Sequence, residues 1–269
     1  MNQRGMPLLE IQHVTKEFSR QGRAVRALDG IDLRVNEGEF LTIVGPSGCG
    51  KTTLLHMLGG FVPVDQGAIR LDGKAIGGPG PDRGVIFQEY ALFPWRTAHG
   101  NVVWPLEIKG VLKAERERIA ERYLDLVHLQ GFRDHYPAEL SGGMKQRVAL
   151  ARVLVLDPRI LLMDEPFGAL DSQTRELMQE ELLDIWGKTG KTVIFITHDI
   201  DEAIYLSDRV IVMTARPGKV KEDLRIDLPR PRNLEIKKSP EYASYRNRVW
   251  DLLHVEVIAA RREAQESRG

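Results

Sequence analysis

Gly45-Pro46-Ser47-Gly48-Cys49-Gly50-Lys51-Thr52 is a complete G-x-x-x-x-G-K-[ST] motif. It follows the apolar run Phe-Leu-Thr-Ile-Val at residues 40–44, which predicts a buried strand. Residues 53–58 are typical of a helix, and two glycines at positions 59 and 60 end that helix. Strand, glycine-rich loop and helix in this order predict a phosphate-binding loop in an α/β protein.

The chemistry of this phosphate loop follows from its residue types. Glycines let successive backbone N–H groups turn toward a polyanion, and the N-terminus of the following helix adds partial positive charge. Lys51 can reach the β- and γ-phosphates of a nucleotide, and the Thr52 hydroxyl can ligate Mg²⁺. We expect residues 45–53, up to and including Thr53, to bind nucleotide. The alternative is an ordinary glycine-rich turn, which needs a chance match with a probability of about one per cent.

A second helix start lies at Leu140-Ser141-Gly142-Gly143. Ser141 is a favourable N-cap, and residues 144–156 predict a helix with residues 148, 151 and 155 on one side. The bare amides of Gly142 and Gly143 form a second place where an anion can bind. Taken alone, the segment is more often a plain helix cap. Beside the phosphate loop and the segments that follow, anion binding is favoured.

Four apolar runs end in polar residues. Residues 40–44 lead into the phosphate loop, Phe87 into Gln88, residues 160–163 into Asp164-Glu165, and residues 193–197 into His198. Continuous apolar runs are typical of parallel strands that helices cover on both faces. Ligands of such sheets bind at the carboxyl ends of the strands. The pattern therefore predicts one site built from these four ends.

The order of these segments resembles that of the ATP-binding-cassette (ABC) ATPases. Over about residues 6–225 the family's segments follow one another: phosphate loop, Gln88, LSGG signature, Asp164-Glu165, the D-loop with Asp171, and His198. Met144 stands where Gln is commonest in the family, and Gly168 stands where Ser is usual. Neither departure removes a group that the chemistry needs. The resemblance implies an ATPase that uses ATP and Mg²⁺.

The resemblance also implies a role for each polar strand end. Asp164 would hold Mg²⁺ together with Thr52 and Gln88, and Glu165 would activate the attacking water. His198 would sense the γ-phosphate. Adjacent residues of a strand point to opposite faces, so Asp164 and Glu165 can act separately. Singly, an acidic pair would more often be solvated surface and a histidine a satisfied core residue. The expected catalytic residues are Lys51, Gln88, Glu165 and His198.

Phe18 ends an alternating stretch, residues 9–18, upstream of the phosphate loop. The resemblance implies that its ring stacks on the adenine of ATP. Such a platform tolerates different bases because every base has a π-face. The alternative is a core phenylalanine of the N-terminal sheet.

The resemblance implies a head-to-tail homodimer. In this family the signature of one chain closes on ATP bound by the other, so Ser141, Gly142 and Gly143 would face the partner's Lys51. Asp171 corresponds to the residue that links the two sites. ATP would then hold the two chains together until it is hydrolysed.

The composition of the 269-residue chain limits which classes of partner and which cell compartment are expected. Lys plus Arg and Asp plus Glu are equal at 38 each, so charge gives no strong case for nucleic acid, and we expect no nucleic-acid partner. A single cysteine excludes an intrachain disulfide and fits a reducing compartment. Neither a signal peptide nor a run of 18 apolar residues is found in the sequence, so we expect a chain that does not itself cross a membrane.

Periodicity indicates how the chain is organised. Short alternating runs up to residue 71 predict an antiparallel sheet around the phosphate-loop strand, and residues 90–156 have a helical pattern. Strands return near residues 160, 193 and 210. A final helix is predicted after residues 229–232, with an apolar stripe formed by Tyr242, Tyr245, Val249, Leu252 and Leu253.

The expected fold is α/β. It has a phosphate-loop (RecA-like), mostly parallel sheet core, an N-terminal antiparallel β subdomain and an inserted helical subdomain. The expected ATPase domain is 6–228, with its core at 6–89 and 157–228 and the helical signature subdomain at 90–156. Residues 229–269 form a C-terminal helical extension.

Residues 88–96 place several large apolar side chains between Gln88 and the helical subdomain. They either pack that subdomain or line a groove for a short helix of a membrane partner. Residues 80–84 (GPDRG) and 226–232 (IDLPRPR) resemble the nitrate/sulfonate/taurine importer ATPase subfamily.

This narrower resemblance implies the energy-coupling subunit of an importer for a small anion such as nitrate, an aliphatic sulfonate or taurine. Such a subunit lies peripherally on the cytoplasmic face of the inner (cell) membrane. Its partners are separate membrane-spanning permease subunits and, indirectly, a periplasmic or extracellular solute-binding protein. The sequence does not name the solute.

The alternative is a soluble ABC ATPase that acts on nucleic acid or ribosomes. The DNA-repair type needs a long coiled-coil insertion between Lys51 and Ser141, and 90 positions separate them. The translation type usually has two cassettes in tandem, whereas this sequence has one.

The lone thiol lies within the phosphate loop. A helix N-terminus and Lys51 nearby are expected to lower the pKa of Cys49 and to favour its reactive thiolate. We therefore expect alkylation of Cys49 to block nucleotide binding.

Overall fold

The structure, a computed structural model, describes residues 7–20 and 23–266. The chain divides into two compact units. Unit 1 comprises the residues up to Gly80 together with those from Thr192 onward, and unit 2 comprises Pro81–Lys191.

The elements of unit 1 are strands β1 (Leu9–Arg20), β2 (Arg23–Val35), β3 (Phe40–Val44), β4 (Gln66–Leu71), β5 (Lys74–Ala75), β8 (Thr192–Ile196), β9 (Arg209–Met213) and β10 (Val220–Arg225), and helices α1 (Lys51–Leu58), α6 (Ile200–Leu206) and α7 (Pro240–Glu266). The elements of unit 2 are strands β6 (Arg83–Ile86) and β7 (Ile160–Asp164), and helices α2 (Ala98–Ile108), α3 (Lys113–Leu126), α4 (Gly142–Leu154) and α5 (Ser172–Thr189). Short 3₁₀ helices lie at Gln130–Phe132, Pro137–Glu139 and Leu234–Lys238.

An antiparallel sheet with strand order β2-β1-β4-β5 forms one part of unit 1. Leu9 is paired with Leu71 and Ile11 with Ile69, so apolar residues of the two strands lie in register. All four of these side chains are buried. The alternation in the sequence therefore has its physical reason in a sheet with one buried face.

A second, mostly parallel arrangement surrounds the phosphate-loop strand. β3 is parallel to β8 on one side and to β9 on the other, and β10 is antiparallel to β9. Every residue of β3 and β8 is buried, as expected for strands covered on both faces. The expectation that the antiparallel sheet surrounds this strand was wrong. Both hydrogen-bonding edges of β3 are taken by β8 and β9.

Unit 2 combines a parallel strand pair with helices. β6 is parallel to β7, with Ile86 opposite Met163. The helices α2, α3 and α4 lie within the predicted helical range 90–156. The expected apolar side of this helix is confirmed, because Val148 and Ala151 of α4 and its C-cap residue Val155 are buried.

The C-terminal part of the chain is tied to the rest of unit 1 by a buried arginine. Arg232 donates from Nη1 to the carbonyl oxygens of Ile204, Tyr205 and Ser207 at 3.0, 3.0 and 2.8 Å. Burial lowers the pKa of Arg232 to about 10, and the carbonyl contacts pair its Nη1 in the interior, whereas its buried Nε has no hydrogen-bond partner among the residues that the structure describes. The predicted final helix is α7, with Tyr242 of its apolar stripe 1% exposed.

The predicted domain boundaries stay a prediction. Residue 6 and residues 267–269, at the ends of the two predicted ranges, lie outside the described residues. Of the helices that the structure describes, none has the length and apolar character needed to cross a membrane.

Candidate functional site

The phosphate loop joins β3 to α1 in unit 1, as the sequence predicts. α1 begins at Lys51, two residues earlier than expected, with Gly50 as its N-cap at φ 104°. A Cβ at Gly50 would lie 2.7 Å from Leu28 Cδ2 and 2.9 Å from the carbonyl oxygen of Ala27. Both the positive φ and this close approach require glycine. Gly45 and Pro46 are buried, whereas Ser47 and Gly48 are exposed.

Lys51 folds back into its own loop. Its Nζ donates to the carbonyl oxygens of Gly45 at 2.8 Å and Pro46 at 3.1 Å, and the residue is 7% exposed. Thr52 is exposed and Thr53 is half-buried. The ammonium group is thus held inside the curve of the loop, at the N-terminus of α1, where partial positive charge favours an anion.

The expected reactivity of Cys49 is wrong. Cys49 is 1% exposed. Burial raises the pKa of its thiol, and the attraction of Lys51 for a thiolate does not outweigh burial. The signal that sequence reasoning used, a helix N-terminus and a lysine, is present, but desolvation of the sulfur dominates.

We expect native Cys49 to be alkylated slowly. Because the pKa is raised, the thiol stays protonated at neutral pH, and its thiolate forms only as the pH rises above the ordinary range of a thiol. Iodoacetamide labelling, followed by mass spectrometry, should be at least about tenfold slower in the native chain than in urea-unfolded chain. Cys49 is the one cysteine of the chain, so no other thiol confuses the result. Equal labelling rates in the two states would contradict the burial of the thiol.

His198 comes two residues after β8, the parallel neighbour of the phosphate-loop strand β3. The pairing of β3 with β8 places Ile43 opposite Ile196, and the N–H of Thr197 donates to the carbonyl oxygen of Ile43 at 3.3 Å. His198 follows and is exposed. Asp199 then caps α6 by accepting from the N–H groups of residues 201 and 202. The structure therefore brings the two carboxyl ends of β3 and β8 together, as expected of parallel neighbours.

Phe18 lies on β1, opposite Val25 of β2. Its ring is 42% exposed, and Lys16 Nζ lies 5.4 Å from the ring centroid. The exposure argues against the alternative of a core phenylalanine.

Gln88, Asp164 and Glu165 lie at or just after the ends of two paired strands of unit 2. Asp164 is the last residue of β7, and Gln88 comes two residues after β6. Glu165 has φ 44°, in the left-handed region that a side chain of this size seldom adopts. Strain of this kind is retained where the surroundings impose it, and it clusters at functional sites.

Gly168 lies close to two of these predicted residues. Its N–H donates to the carbonyl oxygen of Glu165 at 3.1 Å. A Cβ at this position would meet Gln88 Nε2 and the carbonyl oxygen of Glu165, each at 3.4 Å. A small side chain can therefore be placed there, so packing does not force the departure from serine.

The signature residues begin α4 in unit 2. Ser141 is the N-cap, as predicted, and its Oγ accepts from the N–H of Met144 at 3.3 Å. The cap uses the backbone N–H of Met144. The side chain at position 144 can therefore differ from the usual Gln without loss of the cap. Gly142 and Gly143 lie in the first turn of α4, and a Cβ at Gly142 would lie 2.9 Å from Leu170 Cδ2.

Asp171 is the N-cap of α5. Its Oδ1 accepts from the N–H of Thr174 at 3.0 Å, and this bond lowers the pKa of Asp171. The signature lies next to the D-loop and the start of α5, because a Cβ at Gly142 would lie 2.9 Å from Leu170 Cδ2 and a Cβ at Gly143 would lie 3.2 Å from Thr174 Cγ2.

Residues 88–96 contain both packed and exposed aromatic side chains, and the role of this segment toward a membrane partner stays a prediction. Phe93 packs against Trp104, with ring centroids 4.7 Å apart, whereas Trp95 is 71% exposed. A groove of about 330 Å³ lies beside Phe93 and Trp104, and Arg152 and Pro105 also line it.

Sequence reasoning missed two arginines. Arg152 of α4 donates to the carbonyl oxygens of Ala91 at 2.7 Å and Tyr90 at 3.1 Å, and so holds the segment after Gln88. Arg216 donates to the carbonyl oxygen of Gly48 in the phosphate loop. Neither lies in a motif, and each acts on a segment at least 60 residues away, so no local signal in the sequence marks them.

The residues predicted to hold Mg²⁺ are the oxygen donors Thr52, Gln88 and Asp164. Hard oxygen ligands suit Mg²⁺, which binds through one or two side chains, waters and substrate phosphates. Within residues 7–20 and 23–266, no group of three or more His, Cys, Asp or Glu residues is arranged around a metal site. The prediction that all four strand ends form one site stays a prediction.

Comparison with known proteins identifies the family. The model of the ABC transporter family matches residues 28–168. An uncharacterised ABC transporter ATP-binding protein of Methanocaldococcus jannaschii is 55% identical over 250 residues, which cover 93% of this chain and 92% of that protein.

Two relatives carry the names of importers. The nitrate import ATP-binding protein NrtD of Synechocystis sp. is 45% identical over 251 residues, covering 91% of this chain and 94% of its own. The taurine import ATP-binding protein TauB of Rhizobium johnstonii is 48% identical over 254 residues, covering 92% and 97%. The resemblance to this subfamily is confirmed.

A solved structure agrees with the fold. A dimeric ATP-binding cassette in a post-hydrolysis state, bound to ADP and Pi, is 34% identical with a TM-score of 0.71. The match covers 82% of this chain and all of that one. The predicted α/β phosphate-loop fold and the predicted ATPase activity are confirmed. The chain belongs to the ABC transporter family, as an ATP-binding ATPase subunit.

Proposed function

We propose that this ATPase is the energy-coupling subunit of an importer for a small anion such as nitrate, an aliphatic sulfonate or taurine. The observation that carries its nucleotide chemistry is the phosphate loop, in which Lys51 Nζ lies inside the loop against the carbonyl oxygens of Gly45 and Pro46. The importer role and the anion class are supported by the nitrate and taurine relatives.

In the proposed reaction, water attacks the γ-phosphorus of ATP and the bond to the β-phosphate oxygen breaks, giving ADP and phosphate. Residues 45–53 bind the phosphates, with Lys51 opposing their negative charge, and Phe18 stacks on adenine. Glu165 accepts a proton from the attacking water, and His198 donates a hydrogen bond to the γ-phosphate.

Mg²⁺ is the proposed metal cofactor. Bound Mg²⁺ neutralises charge on the phosphate oxygens. The Thr52 hydroxyl, the Gln88 side-chain carbonyl and the Asp164 carboxylate are its proposed protein ligands. All three are oxygen donors, which fits the preference of this ion.

The proposed assembly is a head-to-tail homodimer on separate membrane-spanning permease subunits, at the cytoplasmic face of the membrane. Ser141, Gly142 and Gly143 of one chain would contact ATP on the other, with Asp171 linking the two sites. The dimeric relative supports dimerisation. The groove beside Phe93 and Trp104 has the apolar lining that a short permease helix needs. A solute-binding protein would act through the permease.

The nucleotide assignment is tested with Lys51→Ala. Loss of a charge-assisted contact is expected to weaken ATP binding about 10-fold to 100-fold, measured by calorimetry on the purified chain. The control is Lys188→Ala, which removes an exposed lysine paired with Asp184 on α5 and should leave binding unchanged. Equal affinity of Lys51→Ala and wild type would contradict the assignment.

The transport assignment is tested in the host. Deletion of the gene should abolish high-affinity uptake of one of the three anions. Wild type should restore uptake, whereas Lys51→Ala should not. Unchanged uptake of nitrate, taurine and alkanesulfonates in the deletion strain would contradict the anion importer.

A further inference from the structure

The turn between β9 and β10 lies directly against the phosphate loop. Arg216 in this turn donates from Nε at 3.3 Å and from Nη2 at 3.2 Å to the carbonyl oxygen of Gly48. A Cβ at Gly218 would overlap the carbonyl oxygen of Cys49. The N–H of Gly218 donates to the carbonyl oxygen of Ala27 at 2.9 Å, which fixes the turn on β2. Residues 214–218 therefore contact the backbone of the phosphate loop directly.

The contact with Gly48 controls one peptide unit of the loop. In a trans peptide the C=O and the following N–H point in opposite directions. When Arg216 holds the Gly48 carbonyl, the N–H of Cys49 is directed the other way, where it donates to the carbonyl oxygen of Pro46 at 3.3 Å. The same Pro46 oxygen accepts from Lys51 Nζ at 3.1 Å. Arg216 thus sets the curvature of the loop around the lysine.

The C-terminal helix α7 holds this turn through Glu256. Oε2 of Glu256 accepts from the N–H of Ala215 at 2.7 Å, and Oε1 accepts from Lys221 Nζ at 2.7 Å. Lys221 also donates to the carbonyl oxygen of Leu252 on α7, at 3.0 Å. Burial acts to raise the pKa of Glu256, but the bonds from Lys221 and Ala215 outweigh it and lower the pKa. The carboxylate is 13% exposed and remains charged at neutral pH.

We propose that Glu256 is a positioning residue for the phosphate loop, through which the C-terminal helix α7 sets the affinity of the chain for ATP. Glu256 fixes the backbone of Ala215, the next residue is Arg216, and Arg216 orients the Gly48–Cys49 peptide. The proposal rests on the assignment of residues 45–53 to ATP phosphates. It gives a role in ATP binding to a helix that lies about 200 residues after the loop.

The test compares two acidic residues, Glu256 and Glu222, each of which forms an ion pair between α7 and β10. Glu256→Ala breaks the contact to the turn. Glu222→Ala breaks the ion pair of β10 with Arg248 of α7, 2.7 Å long, which does not reach the turn. Glu256→Ala should raise the Kd for ATP about threefold to tenfold, and Arg216→Ala should do the same. Turnover at saturating ATP should change less than about twofold. Glu222→Ala should keep the wild-type Kd.

A double variant separates positioning from loss of stability. If Glu256 acts through Arg216, then adding Arg216→Ala to Glu256→Ala should produce little further weakening. Glu256→Met keeps much of the side-chain volume but has no oxygen to accept from the Ala215 N–H, and it serves if the alanine variant does not fold. Additive effects, an equal effect of Glu222→Ala, or an unchanged Kd in the Glu256 variants would each overturn the proposal. Lys51→Ala in the same assay tests the phosphate-loop assignment separately. If Lys51→Ala loses ATP binding and the Glu256 variants do not, the role of Glu256 is overturned while the phosphate-loop assignment stands.

Discussion

Glu165→Gln is expected to bind ATP normally and to lose about 10²-fold to 10⁴-fold of its ATPase turnover, because the amide cannot accept the proton of the attacking water. The glutamine has nearly the same volume and shape, so the strain of the backbone at φ 44° is the same in both proteins. Phosphate release measures the rate, and calorimetry measures ATP binding.

Two features make this variant informative. Glutamine at position 165 removes the negative charge and leaves the backbone strain in place. Glycine at this left-handed position would also relieve the strain, so its effect would be harder to interpret. Glu115→Gln, at an exposed position in the first turn of α3, is the matched control in the same unit and should retain wild-type turnover. Near-normal hydrolysis by Glu165→Gln would exclude Glu165 as the group that activates water.

Glu165→Gln should also form a stable dimer when ATP is added, because the nucleotide that joins the two chains is no longer hydrolysed. Light scattering after size-exclusion chromatography measures this mass. A monomer at saturating ATP, under conditions where binding is complete, would contradict the proposal that ATP joins the chains.

Local chemistry explains why much of the fold and site could be predicted. The runs that form β3, β7 and β8 are mostly apolar, with one polar residue in each strand (Thr42, Asp164 and Thr192), because both faces of these strands are covered. Ser141 was predicted as an N-cap because its side chain satisfies an N–H of the same turn, which the bond to Met144 shows. In both cases the partners or the environment are encoded within a few residues.

The errors and omissions depend on contacts that are distant in sequence. The pKa of the Cys49 thiol follows from its burial, and Gly218, about 170 positions later, lies directly against the Cys49 backbone. Alternation along β1 and β2 shows that one face is buried, but it does not specify that β3 pairs with β8 and β9 instead. Arg152 and Glu256 make their contacts at separations of 61 and 41 residues, for which a single sequence offers no pattern.

The proposed shared site predicts that ATPase activity depends on chain concentration. If each ATP needs the phosphate loop of one chain and the signature of the other, the rate per chain should rise with concentration and level off once dimers predominate. Wild-type hydrolysis should be measured over at least about two decades of concentration, extending below the dimer dissociation constant. A specific activity that is constant throughout the monomer range would refute dimer-dependent hydrolysis.

Ser141→Arg identifies the surface that completes the site. Arginine removes the N-cap bond to Met144 and places a long side chain at the glycine amides, so turnover should be nearly abolished. Ser141→Thr keeps a capping hydroxyl and should retain activity. Mixing Ser141→Arg with Lys51→Ala should restore up to about a quarter of wild-type sites, since random pairing gives heterodimers with one intact site. If the signature instead served its own chain, neither chain of the mixture would hold an intact site. Differently tagged subunits verify that the two variants exchange chains with ATP bound. If ATPase activity still does not recover in the mixture, then the proposal that the two sites are shared between chains and hydrolyse ATP independently is contradicted.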